Sequence, residues 1–151
     1  LFDGEEEGLL GAKAFVALPP VPLASIVANV NLDMVSRNDK GELYASGASQ
    51  YPMMKPILDS IAKRAPVKLL LGHDTGFGDS NWTQQSDQGA FASKKIPFIY
   101  FGVEDHPDYH KPTDTVAHID PDFFYRCDQT IAEFVRRLDT LRQKLAYLRA
   151  A

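Results

Sequence analysis

Residues 120–148 constrain the fold more tightly than any other stretch. Asp120-Pro121 reads as a helix start, with Asp120 at the N-cap and Pro121 at the first helical position, where a missing N–H costs nothing. Cys127, Ile131, Phe134, Val135, Leu138, Leu141, Leu145 and Leu148 then recur at spacings of three and four. So long an apolar stripe needs a surface to cover it, and the preceding chain offers strands. Ser25–Met34, Glu42–Ser46, Val67–Leu71 and Ile96–Phe101 read as short strands, the second near a sheet edge. Between them lie helical segments. Leu9–Ala17 has Leu9, Leu10, Ala14 and Phe15 as its stripe. Tyr51–Ala65 has Met54, Ile57, Leu58 and Ile61, and Ser86–Lys95 follows. Pro19, Pro20 and Pro22 form a rigid link after the first helix, and Asn38–Gly41 a turn. Strands alternating with helices predict an α/β layered domain with a mainly parallel sheet.

Composition narrows the function classes. The 151 residues suffice for one domain with a sizeable core, and the net charge of −4 gives no basic surface for nucleic acid. The cluster of Arg136, Arg137, Arg142, Lys144 and Arg149 reads as the cationic end of the last helix. A single cysteine excludes an internal disulfide and a cysteine-based zinc site, and at Cys127 it falls on the apolar stripe, as a small core residue would. No run is long and apolar enough to span a membrane, and no signal peptide is evident. Gly76-Phe77-Gly78 lacks the following helix, glycine spacing and lysine of a phosphate loop.

Polar residues that carry chemistry gather at strand ends. Glu5-Glu6-Glu7 sits between Gly4 and Gly8. In an extended segment, neighbouring glutamates point to opposite sides, so one can face a metal and the other a water. Alone, the triplet reads first as a solvated turn at a helix N-terminus. Asp33 closes a strand whose polar face is Asn29, Asn31 and Asp33, and by itself it could be a turn-forming aspartate. Tyr109 and His110 lie in the polar loop Glu104–Thr115; alone, one would be packing and the other a hydrogen-bonded surface group. A histidine with carboxylates and no cysteine suits a hydrolytic zinc site.

Local wording sharpens this. Phe2-Asp3-Gly4-Glu5-Glu6-Glu7-Gly8-Leu9-Leu10-Gly11 resembles the glutamate-pair motif of the di-zinc aminopeptidase family, which includes glutaminyl cyclases and transferrin-receptor-like proteins. Asn31-Leu32-Asp33-Met34 is similar to its metal-binding strand end. Ser86-Asp87-Gln88 with Phe91 and Ile96-Pro97 resembles its Ser-Asp-His segment and the Gly-Ile-Pro after it. His106-Pro107-Asp108-Tyr109-His110, followed by Asp114-Thr115 and Ile119-Asp120, resembles its histidine-ligand loop. The resemblance implies Glu5 as general base, Glu6 and His110 on one zinc, Asp33 on the other, and Tyr109 stabilising the tetrahedral intermediate. Asp87 and Asp114 become acceptors that orient ligands or donors. The triplet also allows Glu6/Glu7 as the pair, but Gly8 and Gly11 keep the family spacing only with Glu5/Glu6.

Two departures qualify the match. Gln88 stands where the family has histidine. The family's first ligand histidine and its metal-bridging aspartate lie upstream of the glutamate pair, and nothing precedes Leu1 here. The chain therefore resembles the C-terminal part of one zinc-peptidase catalytic domain, a three-layer α/β/α sandwich with a mainly parallel, mixed sheet truncated at its N-terminal side. The implied parent is a zinc aminopeptidase holding two zinc ions and acting on peptides with a free N-terminus, periplasmic or secreted as many relatives are. The isolated chain is expected to have a partial or empty metal site, to be inactive, and to self-associate or bind the missing half. Glutaminyl cyclase-like acyl transfer, and a non-catalytic binding domain of the same fold, are the alternatives.

Overall fold

The computed structural model describes residues 1–150, without the side chains of 79 and 147–150. Among these residues one mixed sheet forms from β1 (Asn29–Leu32), β2 (Glu42–Ser46), β3 (Lys68–Leu71) and β4 (Phe98–Gly102), in the spatial order β1-β4-β2-β3. β1 runs parallel to β4 with Asn31 opposite Tyr100, and β2 runs parallel to β3 with Tyr44 opposite Leu70. The two pairs meet antiparallel, Ala45 facing Phe101.

β2 is thus interior, not near an edge. Its polar ends each have a partner. Lys68 Nζ donates to Glu42 at 2.7 Å, and Ser46 Oγ donates to the His73 carbonyl at 3.0 Å. The edge strands are β1 and β3; β1 is shorter than expected, and Leu32 on it is 42% exposed.

Helices cover both faces. On one, α2 (Lys55–Ala62) and α4 (Pro121–Asp139) bury Leu58, Ile61, Phe123, Cys127, Ile131 and Phe134 against Leu43, Ala45, Ile99 and Phe101. Each such apolar side chain contributes roughly 1.5–3 kcal/mol by leaving water. On the other, α1 (Leu10–Ala17) and α3 (Gln88–Ala92) form a smaller core around Ala12, Val16, Ala90, Phe91 and Ile96, joined by the Phe2–Phe15–Phe91 ring cluster.

Asp120 caps α4 as expected, accepting from the Phe123 N–H at 2.9 Å, and Pro121 opens the helix. The long stripe breaks at Thr140, and α5 (Arg142–Ala150) continues it separately. Val135 is 46% exposed rather than buried, because the sheet beneath ends at β1. The side chains of Leu148 and Arg149 lie outside the described residues. In α1 the buried positions are Ala12 and Val16, with Leu10 exposed. Leu9 at the N-cap is left-handed at φ 63, and of the expected stripe Phe15 packs, partly buried, against this core. Gly11 is needed where α1 meets the N-terminal segment, since a Cβ there would stand 2.6 Å from the Asp3 backbone.

Candidate metal and catalytic centre

Three distant segments converge on one cavity of about 340 Å³. The acidic turn contributes Glu5 and Glu6, the end of β1 Asp33, and the loop after β4 Tyr109 and His110. Segment 82–86 closes another side with Trp82 and Ser86. The glutamates do not lie at a strand end. Glu6–Gly8 form a turn in which the Glu5 carbonyl accepts from the N–H groups of Gly8 and Leu9 at 3.0 and 2.8 Å. Gly4 and Gly8 permit that turn at φ 64 and 94. No carboxylate caps α1; its N-cap is Leu9, without a side-chain hydrogen bond.

His110 Nε2 stands 3.2 Å from Glu6 Oε2, and the Tyr109 ring stacks on the imidazole at 3.8 Å. Asp108 anchors their loop. It accepts from Thr113 Oγ1 at 2.6 Å and Arg37 at 2.7 Å, and His118 Nδ1 lies 3.3 Å away. The Thr113 and Arg37 hydrogen bonds hold its carboxyl down at about 2.

Asp33 accepts from Ser86 Oγ at 2.9 Å. Glu5 is pushed above the ordinary glutamate range, first by burial, then by Asp33, Glu6 and Asp87, with a Ser86 hydrogen bond opposing. Burial, Asp105, Glu6, Asp33 and Glu5 likewise raise the Tyr109 phenol, keeping it a proton donor. Leu9, Met34 and His110, all lining the cavity, have left-handed backbones at φ 63, 56 and 55. Such conformations cost about 1–3 kcal/mol each and cluster at functional sites.

The two accessory aspartates do not line the cavity. Asp87 is buried behind it, with Oδ1 unpartnered among the described residues and its carboxyl raised by burial and by Asp33. Asp114 faces His106 at 3.7 Å, one residue layer behind Tyr109. Sequence reasoning passed over Trp82 and Tyr100. Trp82 was findable as the sole tryptophan, set in a polar loop. Tyr100 gave no signal, because every residue of β4 is buried; its phenol lies over Gly102, where a Cβ would come within 2.4 Å.

Carboxylate oxygens and one imidazole are the donor chemistry of a hydrolytic zinc centre. The crowding that raises Glu5 and Asp87 is what a cation would relieve. Glu6 and His110 already meet as two donors, but among the described residues no three histidine, cysteine or acidic side chains come close enough together to hold an ion. The donors fit zinc in kind.

The model of peptidase family M28 matches residues 1–135. The chain belongs to this family. Among solved structures, BSAP, a zinc aminopeptidase from Bacillus subtilis, is 26% identical with a TM-score of 0.71, over 91% of this chain and 34% of its own. An aminopeptidase from Aneurinibacillus sp. strain AM-1 is 24% identical at TM-score 0.68, over 89% and 31%. The LapA aminopeptidase of Legionella pneumophila shares the fold at 15% identity and TM-score 0.65, over 88% and 36%. This M28 chain thus spans about a third of each structure it matches. No curated protein matches it.

Proposed function

We propose that this M28 chain carries part of the active centre of a zinc aminopeptidase that removes N-terminal residues from peptides. The observation that supports the reading most is that Glu5, Glu6, Asp33, Tyr109 and His110, from three separate segments, line one cavity. Glu6 and His110 would hold one zinc ion and Asp33 would face a second. Zinc, when bound, supplies Lewis acidity, which makes water a nucleophile at neutral pH and polarises a carbonyl.

Glu5 serves as general base. Its raised carboxyl is suited to taking a proton from water and returning it to the departing amine. The Tyr109 phenol donates a hydrogen bond to the oxyanion as it develops. Asp108, fixed by Arg37 and Thr113, holds the loop that presents Tyr109 and His110. Asp87 and Asp114 act from behind, Asp114 through His106.

The 151-residue chain is the C-terminal part of one catalytic domain in this reading. By itself it is expected to bind zinc weakly and to turn over no substrate. The outer edge of β1 and the exposed Leu32 beside it are expected to pair with another segment or another copy.

Expression from the complete natural reading frame tests the activity. Zinc-dependent release of anilide from aminoacyl anilides supports the aminopeptidase. Cyclisation of N-terminal glutaminyl peptides instead would make it a cyclase, and neither reaction with zinc bound would leave a binding domain.

A further inference from the structure

Gln88 is the position at which this chain leaves the family wording, and its side chain is fully buried with both ends engaged. Its Oε1 accepts from Asn31 Nδ2 at 2.8 Å, and its Nε2 donates to the Trp82 carbonyl at 2.6 Å. The other Asn31 N–H donates to Ser86 Oγ at 3.0 Å, and Ser86 Oγ donates to Asp33 at 2.9 Å, with the Glu5 carboxylate a second acceptor beside it. Each of these bonds begins on the side chain where the one before it ends. The chain of bonds runs from the Asp33 carboxylate to the backbone of Trp82, and both residues line the same cavity. The indole is held from outside as well. It stacks on His73 at 3.6 Å with 3° between the rings, and His73 Nε2 lies 2.9 Å from Glu104.

We propose that Gln88 is a positioning residue that locks the Trp82 wall to the Asp33 strand end, so that an entering peptide N-terminus meets one fixed aromatic surface at a fixed distance from the Asp33 carboxylate. The assignment rests on the aminopeptidase reading only for its kinetic consequence; the mechanical coupling stands apart from it. A glutamine amide suits the task because it accepts at one atom and donates at the other. A neutral imidazole offers the same pair of functions, whereas a thioether offers neither at useful strength.

Trp82 is the only tryptophan in the sequence, so intrinsic fluorescence reports on it directly. The test uses protein expressed from the complete reading frame, with circular dichroism to confirm folding, and compares Gln88→Met, Gln88→His and Ser86→Ala. Gln88→Met should raise acrylamide quenching of Trp82 about twofold and lower kcat/KM about tenfold, the scale for a lost partner behind a site. Gln88→His should restore both. Ser86→Ala cuts the chain at the Asp33 end only, so it should leave quenching at the wild-type value while lowering kcat. Unchanged quenching in Gln88→Met, or a quenching change as large in Ser86→Ala, overturns the proposal. If Gln88→Met does not fold, Gln88→His and Ser86→Ala decide: quenching raised in Gln88→His overturns it, and both at wild-type values support it. Absence of all peptidase activity refutes the aminopeptidase reading alone, because quenching still decides the role of Gln88.

Discussion

Asp74 and Asp87 are both buried aspartates, and their surroundings differ in kind. Asp74 accepts from the N–H groups of Gly47 and Ser49 at 3.0 and 2.8 Å and from Ser49 Oγ at 2.8 Å. It fastens the turn after β2, where Gly47 at φ 116 packs so closely that a Cβ would lie 2.7 Å from the Phe98 carbonyl. Asp87 has an oxygen without a partner among the described residues, and its carboxyl is raised by burial and by Asp33. A buried carboxylate satisfied by its own chain stabilises a fold. One left crowded beside other carboxylates works against stability and is tolerated where a cation or substrate is handled. The contrast separates the scaffold of this molecule from its working end.

The largest expected effect lies at the working end. Glu5→Gln should lower turnover of aminoacyl anilides by about 10²- to 10⁴-fold, the range for a lost general base, while zinc content stays near wild type. Glu6→Gln should lower both turnover and zinc content, measured by metal analysis after dialysis. Equal zinc loss in the two variants would shift the pair to Glu6 and Glu7.

On the scaffold side, Asp74→Ala should act through stability alone. Three hydrogen bonds to a charged acceptor disappear, and urea unfolding should show a loss of about 3 kcal/mol, since bonds to charged groups are worth about 1.5–3 each and do not add. Turnover per folded molecule should be unchanged. A stability loss below measurement would dissolve the contrast with Asp87.

Arg37 holds the site loop from outside the cavity, so its effect should be smaller. Arg37→Ala removes one of the bonds to Asp108 and loosens the loop that carries Tyr109 and His110. A fall in kcat of about tenfold with little change in melting temperature is expected, as for other partners that orient a site from behind. A normal kcat would mean that Thr113 holds the loop unaided.

How far the sequence carried each region follows the same division. The α2/α4 face was legible, because Leu58, Ile61, Cys127, Ile131 and Phe134 repeat at helical spacing over a sheet. The α1 stripe was legible only in part: Phe15 packs against the smaller core, but its fully buried positions are Ala12 and Val16 rather than Leu10 and Ala14. β2 is interior rather than near an edge because β3 and β4 pair with it on either side, and neither pairing is written in its own five residues. At the site, Glu5, Glu6, Asp33, Tyr109 and His110 stood out by residue type and local wording, and Ser86 and Gln88 by wording alone; what pattern reading could not pair is the set of bonds that joins Ser86 and Gln88 to Asn31, Asp33 and Trp82. The turn at Glu6–Gly8, read as a strand end, shows the same limit, because it is held by backbone bonds to the Glu5 carbonyl.

The smallest expected effect is the most discriminating. Asp87→Asn keeps the shape of the side chain and removes its charge. In protein stripped of metal, that charge is desolvated and repelled by Asp33, so its loss should move the urea midpoint at neutral pH slightly upward. The sign follows from proton linkage. A carboxyl raised in the native state binds its proton more tightly there than in the unfolded chain, so native stability declines as pH rises above the ordinary aspartate range near ~4. Asp87→Asn should flatten that decline, and the upward shift should vanish below pH ~4, where the wild-type carboxyl is protonated in both states. Catalysis should move the opposite way, with lower turnover in a sturdier protein, the pattern of a residue kept for function against stability. A lowered urea midpoint at neutral pH would put Asp87 in the same class as Asp74, an acceptor serving the fold, and the crowded acidic cluster would then need no cation to explain it.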